Sequence, residues 1–184
     1  MKKKIFIITG IIVAICGGIF AFISNNTEET VINISEYVPE VEISDEELRK
    51  TIVTLYFLDS ETNELSSEAR LIDSKELLRD TYKVLLKMLI EGPKDNNLER
   101  LIPEKAEIIN TELKGDCLII NFSKEFLEID KTDSVKVSQL IYSIVNTLTE
   151  LKEVSKVKFL IEGEECDAFS DIGLDLKVEF VRNE

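Results

Sequence analysis

The sequence predicts an α+β fold: a two-layer sandwich with two helices packed on one face of a mixed β-sheet, preceded by an N-terminal transmembrane helix. Two stretches carry apolar residues at helical spacing, and five short runs are rich in the β-branched and aromatic residues typical of strands. The predicted order is β-β-α-β-β-α-β, and an alternating tail adds a further candidate strand. Hydrophobic residues make up 44% of the 184-residue chain, which is enough for one folded domain.

The N-terminus predicts a single-pass membrane anchor at residues 1–24. An uncharged run, IFIITGIIVAICGGIFAFI, occupies residues 5–23, and about 20 helical residues span the hydrocarbon core of a bilayer. Lysines at 2–4 precede the run and no basic residue follows before Arg49, which predicts a cytoplasmic N-terminus and an extracytoplasmic C-terminal domain at the cell membrane. Cleavage of the run as a signal peptide and lipidation of Cys16 are open alternatives.

Residues 25–50 predict an acidic extracytoplasmic linker that tethers a domain spanning residues 51–184. The linker is rich in Asn, Thr, Ser and Glu. Two of its stretches, VINI at 31–34 and EVEI at 40–43, carry β-branched residues that could pair as strands or bind an extended chain. Within the domain, we predict a core that covers residues 52–163.

The domain begins with a predicted hairpin and helix. TIVTLYFL at 51–58 and LSSEARLI at 65–72 are strand-like, and DSETN at 59–63 is a turn. Asp73, with Glu76 three residues on, is a candidate N-cap of the capping-box type. The helix is predicted to run to Ile90 and to end at Gly92-Pro93, with an apolar stripe at Leu78, Tyr82, Leu85 and Leu89.

The second half of the domain predicts a further hairpin, one long helix and the closing strands. Lys114-Gly115-Asp116 is a short hairpin loop, and the helix starts near Asp133-Ser134. Its broad apolar stripe contains Val137, Leu140, Ile141, Ile144, Val145, Leu148 and Leu151. The predicted strands lie at 106–113, 117–122, 154–161 and, in the alternating tail, 174–180.

The charge of the chain argues against nucleic-acid binding. The net charge is −14, and without the three N-terminal lysines the remainder carries 19 Lys and Arg against 36 Asp and Glu, or −17. Binding to nucleic acid depends on the neutralisation of phosphates by basic side chains, and no basic cluster follows the N-terminal one. The acidic composition therefore predicts a well-solvated surface.

The sequence predicts no catalytic, cofactor-binding or metal-binding residue, and no cofactor. It contains no histidine, which removes the commonest general base and metal ligand, and it lacks phosphate-binding glycine loops and a GxSxG elbow. Asp59-x-Glu61-x-Asn63 begins like a calcium loop, but Glu64 and Arg70 stand where glycine and glutamate are required.

Two smaller questions about side chains stay open. Cys117 and Cys166 have no CxxC spacing, and a disulfide between them is an alternative to two free thiols. The acidic stretch EGEECD at 162–167 is interpreted as a solvated loop rather than as a cation site.

Five pieces of the chain occur in the order typical of a known family. They are VTLYF at 53–57, LLKMLIEGP at 85–93, LERLIP at 98–103, GDCLIINFS at 115–123 and the helix and strand at 138–163. Together they resemble the GerMN-domain family of sporulation and spore germination proteins.

The resemblance implies a small α/β domain of the ring-building type, attached to the membrane on its extracytoplasmic side, with no catalysis. Germination proteins of this family often carry two tandem copies of the domain, and this sequence contains one.

These observations predict a non-enzymatic, membrane-anchored interaction or scaffold module of a sporulation or germination envelope assembly. The expected partners are other envelope or sporulation proteins, or a second copy of the chain, and no small-molecule substrate. The alternative is a cell-wall glycoside hydrolase, which needs only two well-placed carboxyl groups. A third interpretation, a sensor of a small ligand, requires a sizeable apolar pocket.

Overall fold

The computed structural model describes residues 49–183. The predicted membrane anchor (1–24) and nearly all of the predicted linker (25–50) lie outside these residues. Within residues 49–183, no helix is long and apolar enough to cross a membrane. The described chain forms two β-sheets and three α-helices around one hydrophobic core, so the fold is α+β as predicted, but the single mixed sheet of the prediction is wrong.

The first sheet is antiparallel and has the order β2-β1-β3. It consists of β1 (Lys50–Asp59), β2 (Leu65–Asp73) and the two-residue β3 (Leu98–Glu99), which the sequence did not predict. The predicted turn between β1 and β2 is confirmed, because the Asp59 carboxylate accepts hydrogen bonds from the backbone N–H groups of Glu61 and Thr62.

Two short helices follow where one was predicted: α1 (Ser74–Arg79) and α2 (Thr81–Glu91). Asp73 caps α1 through the N–H of Lys75, as its type predicts. The break falls at Asp80, which has non-helical backbone angles and accepts a hydrogen bond from the N–H of Lys83, 3.4 Å away. An aspartate inside a helical sequence competes for backbone donors, and here it starts a new helix.

The break changes which side chains the helices bury. Leu85 and Leu89 lie in the core as predicted, whereas Leu78 is 80% exposed. The predicted end of the helix is confirmed at Gly92, whose φ of 94° is readily adopted only by glycine.

The second sheet is mixed and has the order β4-β5-β6-β7. Gly115, with φ 66°, turns the chain between the first two of its strands, which pair antiparallel. The β5–β6 pair is parallel, so the chain must cross over between them. The strands are β4 (Ile108–Lys114), β5 (Cys117–Phe122), β6 (Lys156–Ile161) and β7 (Phe180–Val181).

The crossover contains α3 (Ser134–Leu148), which contacts strands of both sheets. Asp133 caps it through the N–H of Lys136, at 2.9 Å. Its predicted stripe is confirmed from Val137 to Leu148, because all six of those side chains are buried, while Leu151 is half-buried beyond the end of the helix. The long helix therefore joins the two sheets into one core.

The predicted tail strand at 174–180 is wrong for most of its length. Gly173 adopts a left-handed conformation, and the Asp175 carboxylate accepts a hydrogen bond from the N–H of Lys177. These turns bury Leu176 and Phe180 without a continuous strand, and only β7 pairs with β6. The alternation of apolar residues correctly predicted that Leu176 and Phe180 are buried. It did not predict the backbone, which forms turns stabilised by local side-chain hydrogen bonds instead of an extended strand.

Candidate interaction surfaces

Within residues 49–183, one edge of β1 has no strand partner over its first half. The N–H of Tyr56 donates to the hydroxyl of Thr147, and the hydroxyl of Ser143 donates to the carbonyl of Tyr56, both from α3. Alternate residues of a strand point their backbone groups to the same side, so Lys50, Ile52 and Thr54 also face away from β2. β3 pairs only with Leu58 and Asp59. We call the backbone of Lys50, Ile52 and Thr54 on this side the open edge; among residues 49–183 it pairs with no strand.

Two exposed apolar side chains lie beside the open edge. Ile52 and Leu71 are directly opposite each other on β1 and β2, and they are 67% and 65% exposed. Cross-strand partners lie on the same face of a sheet, so these two side chains form one apolar patch. The sequence did not single them out, because β1 carries apolar residues on both faces and its pattern does not show which face is covered.

The two outer strands of the second sheet differ from β1 in features that affect the addition of another strand. On β4 the register shifts between Ile108 and Asn110, and Lys114 pairs with Glu112 at 3.2 Å. At the other edge β7 is only two residues long. Bulges, charges and short strands all hinder the addition of another strand.

A buried ion pair holds the loop after α2 against the first sheet. The side chains of Glu68 and Arg70 on β2 are 12% and 4% exposed, and they bond to each other. Arg70 also donates to the carbonyl of Gly92 at 2.5 Å, and Glu68 accepts from the N–H groups of Lys94 and Asp95. Burial raises the pKa of Glu68, but these hydrogen bonds and the charge of Arg70 outweigh it and lower the pKa overall. The network is structural.

A second polar cluster joins β1, the end of α3 and the C-terminal residues. Glu150 accepts hydrogen bonds from Tyr56 at 2.9 Å and Arg182 at 2.7 Å. These bonds lower the pKa of the Glu150 carboxyl. Burial is the main cause that raises the pKa of Tyr56, and the nearby Glu150 carboxylate raises it further. Arg182 also lies over the Tyr56 ring, 5.3 Å from its centroid. These bonds fasten the C-terminal residues to β1 and to the end of α3.

A groove lies between the end of β2 and the helices α1 and α2. It encloses about 590 Å³. Leu71, Ile72, Val84 and Met88 supply its apolar part, and the other lining side chains are charged. A small-molecule sensor requires a predominantly apolar pocket, and this mixed, open groove does not match that requirement.

The carboxyl groups of residues 49–183 provide no acid with a raised pKa for the hydrolase alternative. A glycosidase needs an acid whose pKa is raised so that it stays protonated. The described carboxyl groups with a shifted pKa are all shifted downward by hydrogen bonds or nearby cations that outweigh burial: Asp59, Glu68, Glu125, Asp130 and Glu150.

The remaining side chains singled out by the sequence have local roles. Cys117 and Cys166 are both free thiols, so the disulfide alternative is not the arrangement in this structure. In the acidic stretch at 162–167, Glu162 accepts the N–H of Lys124, and Glu165 pairs with Lys158 at 2.5 Å. Each of these carboxylates is already engaged by a donor of the domain.

Comparison with known proteins identifies the family. Residues 54–167, more than half of the chain, match the family model Germane, described as "Sporulation and spore germination". This chain belongs to the GerMN-domain family. The resemblance seen in the sequence is thereby confirmed, and the two-sheet architecture described above is the form that the GerMN domain takes here. A comparison with curated proteins found no match.

Solved structures show the same fold. The tandem GerMN domains of Bacillus subtilis GerM are 21% identical, with a TM-score of 0.54 over 66% of this chain and 42% of that one. The first GerMN domain of the same protein is 24% identical, with a TM-score of 0.54 over 64% and 86%. A Clostridium perfringens chain described as "Putative Lipoprotein" is 24% identical, with a TM-score of 0.50 over 76% and 92%. This GerMN chain thus spans less than half of the length of the tandem-domain chain.

Proposed function

We propose that this GerMN chain is a membrane-anchored, extracytoplasmic binding module of a sporulation or germination assembly, with no catalytic role. The observation that carries the proposal is the open edge of β1 beside the exposed Ile52 and Leu71. An unpaired strand edge offers its N–H and C=O groups to an added strand, and flanking apolar side chains supply the buried area that makes such pairing stable.

The proposed partner is another envelope or sporulation protein that presents a strand from a domain of the same fold. The GerM protein of Bacillus subtilis contains tandem GerMN domains, whereas the family match in this chain covers one region, residues 54–167. We propose that the partner domain belongs either to a second copy of this chain or to a different family member.

The proposed location rests on the N-terminal sequence. The uncharged run at 5–23 with lysines at 2–4 favours a single-pass anchor with the domain outside the cell membrane. The similar Clostridium perfringens chain is described as a lipoprotein, and lipidation of Cys16 would give attachment by another route. Metabolic labelling with a fatty acid separates the two: a lipid anchor incorporates the label and loses it in Cys16→Ser, whereas a spanning anchor incorporates none in either chain.

The binding surface is tested by crosslinking in intact cells, followed by identification of the proteins captured with the full-length chain. Ile52→Lys places a charge on the apolar patch, and Ile52→Pro removes one N–H of the open edge; proline is tolerated on edge strands. Both variants should lose most of the captured partner. The matched control is Ile109→Lys on β4, where the native side chain is also exposed.

The control should retain the partner, and thermal unfolding should show that all three variants fold. Equal capture by Ile52→Lys, Ile52→Pro and the wild type would refute binding at the open edge.

A further inference from the structure

We propose that a groove beside α3 binds a neutral, hydroxyl-rich chain, namely an oligosaccharide. The groove lies between α3, the β1–β2 hairpin and the C-terminal residues, and it encloses about 540 Å³. We call it the amide groove, and its lining includes Tyr56, Leu65, Gln139, Asn146, Arg182 and Asn183. Ile52 and Leu71 lie outside this lining, so the assignment goes beyond the proposed function.

A polar stripe of α3 forms one wall of the amide groove. Gln139, Ser143 and Asn146 follow one another at intervals of three or four residues, which places them on one face of the helix. Gln139 donates a hydrogen bond to the carbonyl of Asn63 at 3.3 Å, and Ser143 donates to the carbonyl of Tyr56 at 2.6 Å. The wall is therefore fixed against the hairpin, and the groove is formed before a ligand binds.

Three side-chain amides line the amide groove: Gln139, Asn146 and Asn183. An amide has one oxygen acceptor and two N–H donors, and a hydroxyl group both donates and accepts. Asn146 is only 7% exposed, and its oxygen accepts a hydrogen bond from the backbone N–H of Asn183 at 3.3 Å. Burying an amide is costly unless it is hydrogen-bonded. The three amides together match a ligand that carries many hydroxyl groups.

The charges of the amide groove do not select an ion. The guanidinium of Arg182 lies 2.7 Å from the carboxylate of Glu150, and it also donates to the hydroxyl of Tyr56. Glu64, which is exposed, is the other charged side chain of the described lining. An anionic ligand is disfavoured because the arginine is already paired, and a single exposed carboxylate attracts a cation only weakly. The lining therefore favours a neutral ligand.

The strand backbone beside the amide groove is already bonded, which disfavours a peptide. The N–H of Tyr56 donates to the hydroxyl of Thr147 at 3.1 Å, and its carbonyl accepts from Ser143. Further along, β1 pairs with β3. An added peptide strand binds mainly through backbone hydrogen bonds, and none can form with these groups. Recognition must come from side chains, and the half-buried Leu65 adds an apolar surface for the C–H face of a sugar ring.

A second groove continues the amide groove toward the N-terminus of α3. It encloses about 440 Å³, and its lining includes Asn63, Asp133 and Val135. The hydrogen bond from Gln139 to Asn63 connects a residue of each groove. Along the helix axis, residues 133–146 cover about 20 Å. The two grooves together therefore suit a chain of several sugar units better than a single sugar.

Calorimetric titration of the full-length chain in lipid nanodiscs, without glycoside detergent, tests the site. The probes are chitotetraose, which carries N-acetyl groups, and cellotetraose, which has the same linkage without them. Both carry hydroxyl groups, so both should bind, and added salt should leave their affinity unchanged because they are neutral. Tighter binding of chitotetraose would identify an N-acetylated wall glycan as the source. That choice of source rests on the proposed extracytoplasmic location, whereas the ligand class does not.

Two variants remove one amide each from the amide groove. Gln139→Ala and Asn183→Ala should each weaken sugar binding roughly fivefold to tenfold, the effect of one lost hydrogen bond. The matched control is Asn96→Ala in the exposed loop after α2, and it should bind as the wild type does. Thermal unfolding should show that all three variants fold.

Three results would overturn the assignment: no binding of either sugar, an affinity that both amide variants leave unchanged, or tighter binding of a neutral tetrapeptide than of the sugars. Ile52→Lys separates this inference from the proposed function, because it should lose the partner and still bind chitotetraose. Loss of the partner in Ile52→Lys, with no sugar bound by the wild type, would refute the amide groove alone. Sugar binding that both amide variants weaken, with normal capture by Ile52→Lys, would refute the open edge alone.

Discussion

The two sheets of this GerMN domain differ in the contacts that stabilise them and in the character of their edge strands. The second sheet is held by stacked aromatic rings, and both of its edges are unsuitable for another strand. The first sheet contains a buried ion pair, and its central strand keeps the open edge beside Ile52 and Leu71. The difference teaches that the two halves of one domain can treat their strand edges differently: among residues 49–183, only the first sheet leaves a run of edge backbone groups beside exposed apolar side chains without a strand partner.

The largest effect is expected where the aromatic packing of the second sheet is removed. Phe126, fully buried, stacks on Phe122 with ring centroids 4.3 Å apart and lies 6.1 Å from Phe159. Phe126→Ala should lower the free energy of unfolding by about 3–5 kcal/mol, because it leaves a cavity among the rings. Denaturant titration measures the loss.

The conservative variant sharpens that result. Phe126→Leu keeps most of the volume and should cost less than about 1.5 kcal/mol. Similar losses for both variants would mean that ring stacking rather than filled volume stabilises the second sheet.

A smaller effect is expected from the ion pair of the first sheet. Arg70→Met keeps the length of the side chain but leaves the carbonyl of Gly92 and part of Glu68 without a donor. Hydrogen bonds to charged groups contribute about 1.5–3 kcal/mol, and the free energy of unfolding should fall by about that amount. Lys105→Met, at an exposed lysine, is the matched control and should change it by less than about 0.5 kcal/mol.

An unchanged stability in Arg70→Met would contradict the contrast between the sheets. It would show that apolar packing alone is sufficient in the first sheet.

The smallest effect is a pH dependence that belongs to the first sheet. The folded-state pKa of Glu68 lies below its usual 4.5, so its stabilising contribution is present above about pH 4.5 and is lost as the pH falls through the folded-state pKa. Glu68→Gln should therefore be less stable than the wild type at pH 7, and the gap should narrow below about pH 4.5.

Urea titrations at several pH values measure that gap, with Glu128→Gln, an exposed residue, as the control for the loss of one negative charge. A gap that stays constant down to pH values well below 4.5 would show that the lost hydrogen bonds do not depend on the charge of Glu68.

Prediction from sequence succeeded where a few neighbouring residues decide the structure. The cap at Asp73 and the turn at Asp59 were predicted from residue type and are confirmed, because each aspartate accepts a hydrogen bond from the backbone N–H two residues on. The same tendency of aspartate to bond nearby backbone donors explains why one continuous helix was wrongly predicted. Asp80 lies inside the predicted helix, and its bond to the N–H of Lys83 ends one helix and starts the next. The periodicity placed Leu78 on the apolar stripe of one continuous helix, but it did not show that the break at Asp80 turns this side chain outward.

The candidate surface was beyond local prediction. Ile52 and Phe57 are both apolar residues of one strand, yet one is exposed and the other buried. Their fates depend on whether α3 and a neighbouring strand cover each side of β1, and those contacts join residues about 90 positions apart in the chain.

By itself, the sequence determined the acidic charge, the absence of histidine chemistry, the positions of most strands and helices, and membership of the GerMN family. Only the tertiary structure decided that the strands divide into two sheets and that, within the described part of the chain, one edge of β1 pairs with no strand over its first half. Local propensities act through neighbouring residues, whereas the pairing of strands and the exposure of their edges depend on distant segments competing for the same backbone groups.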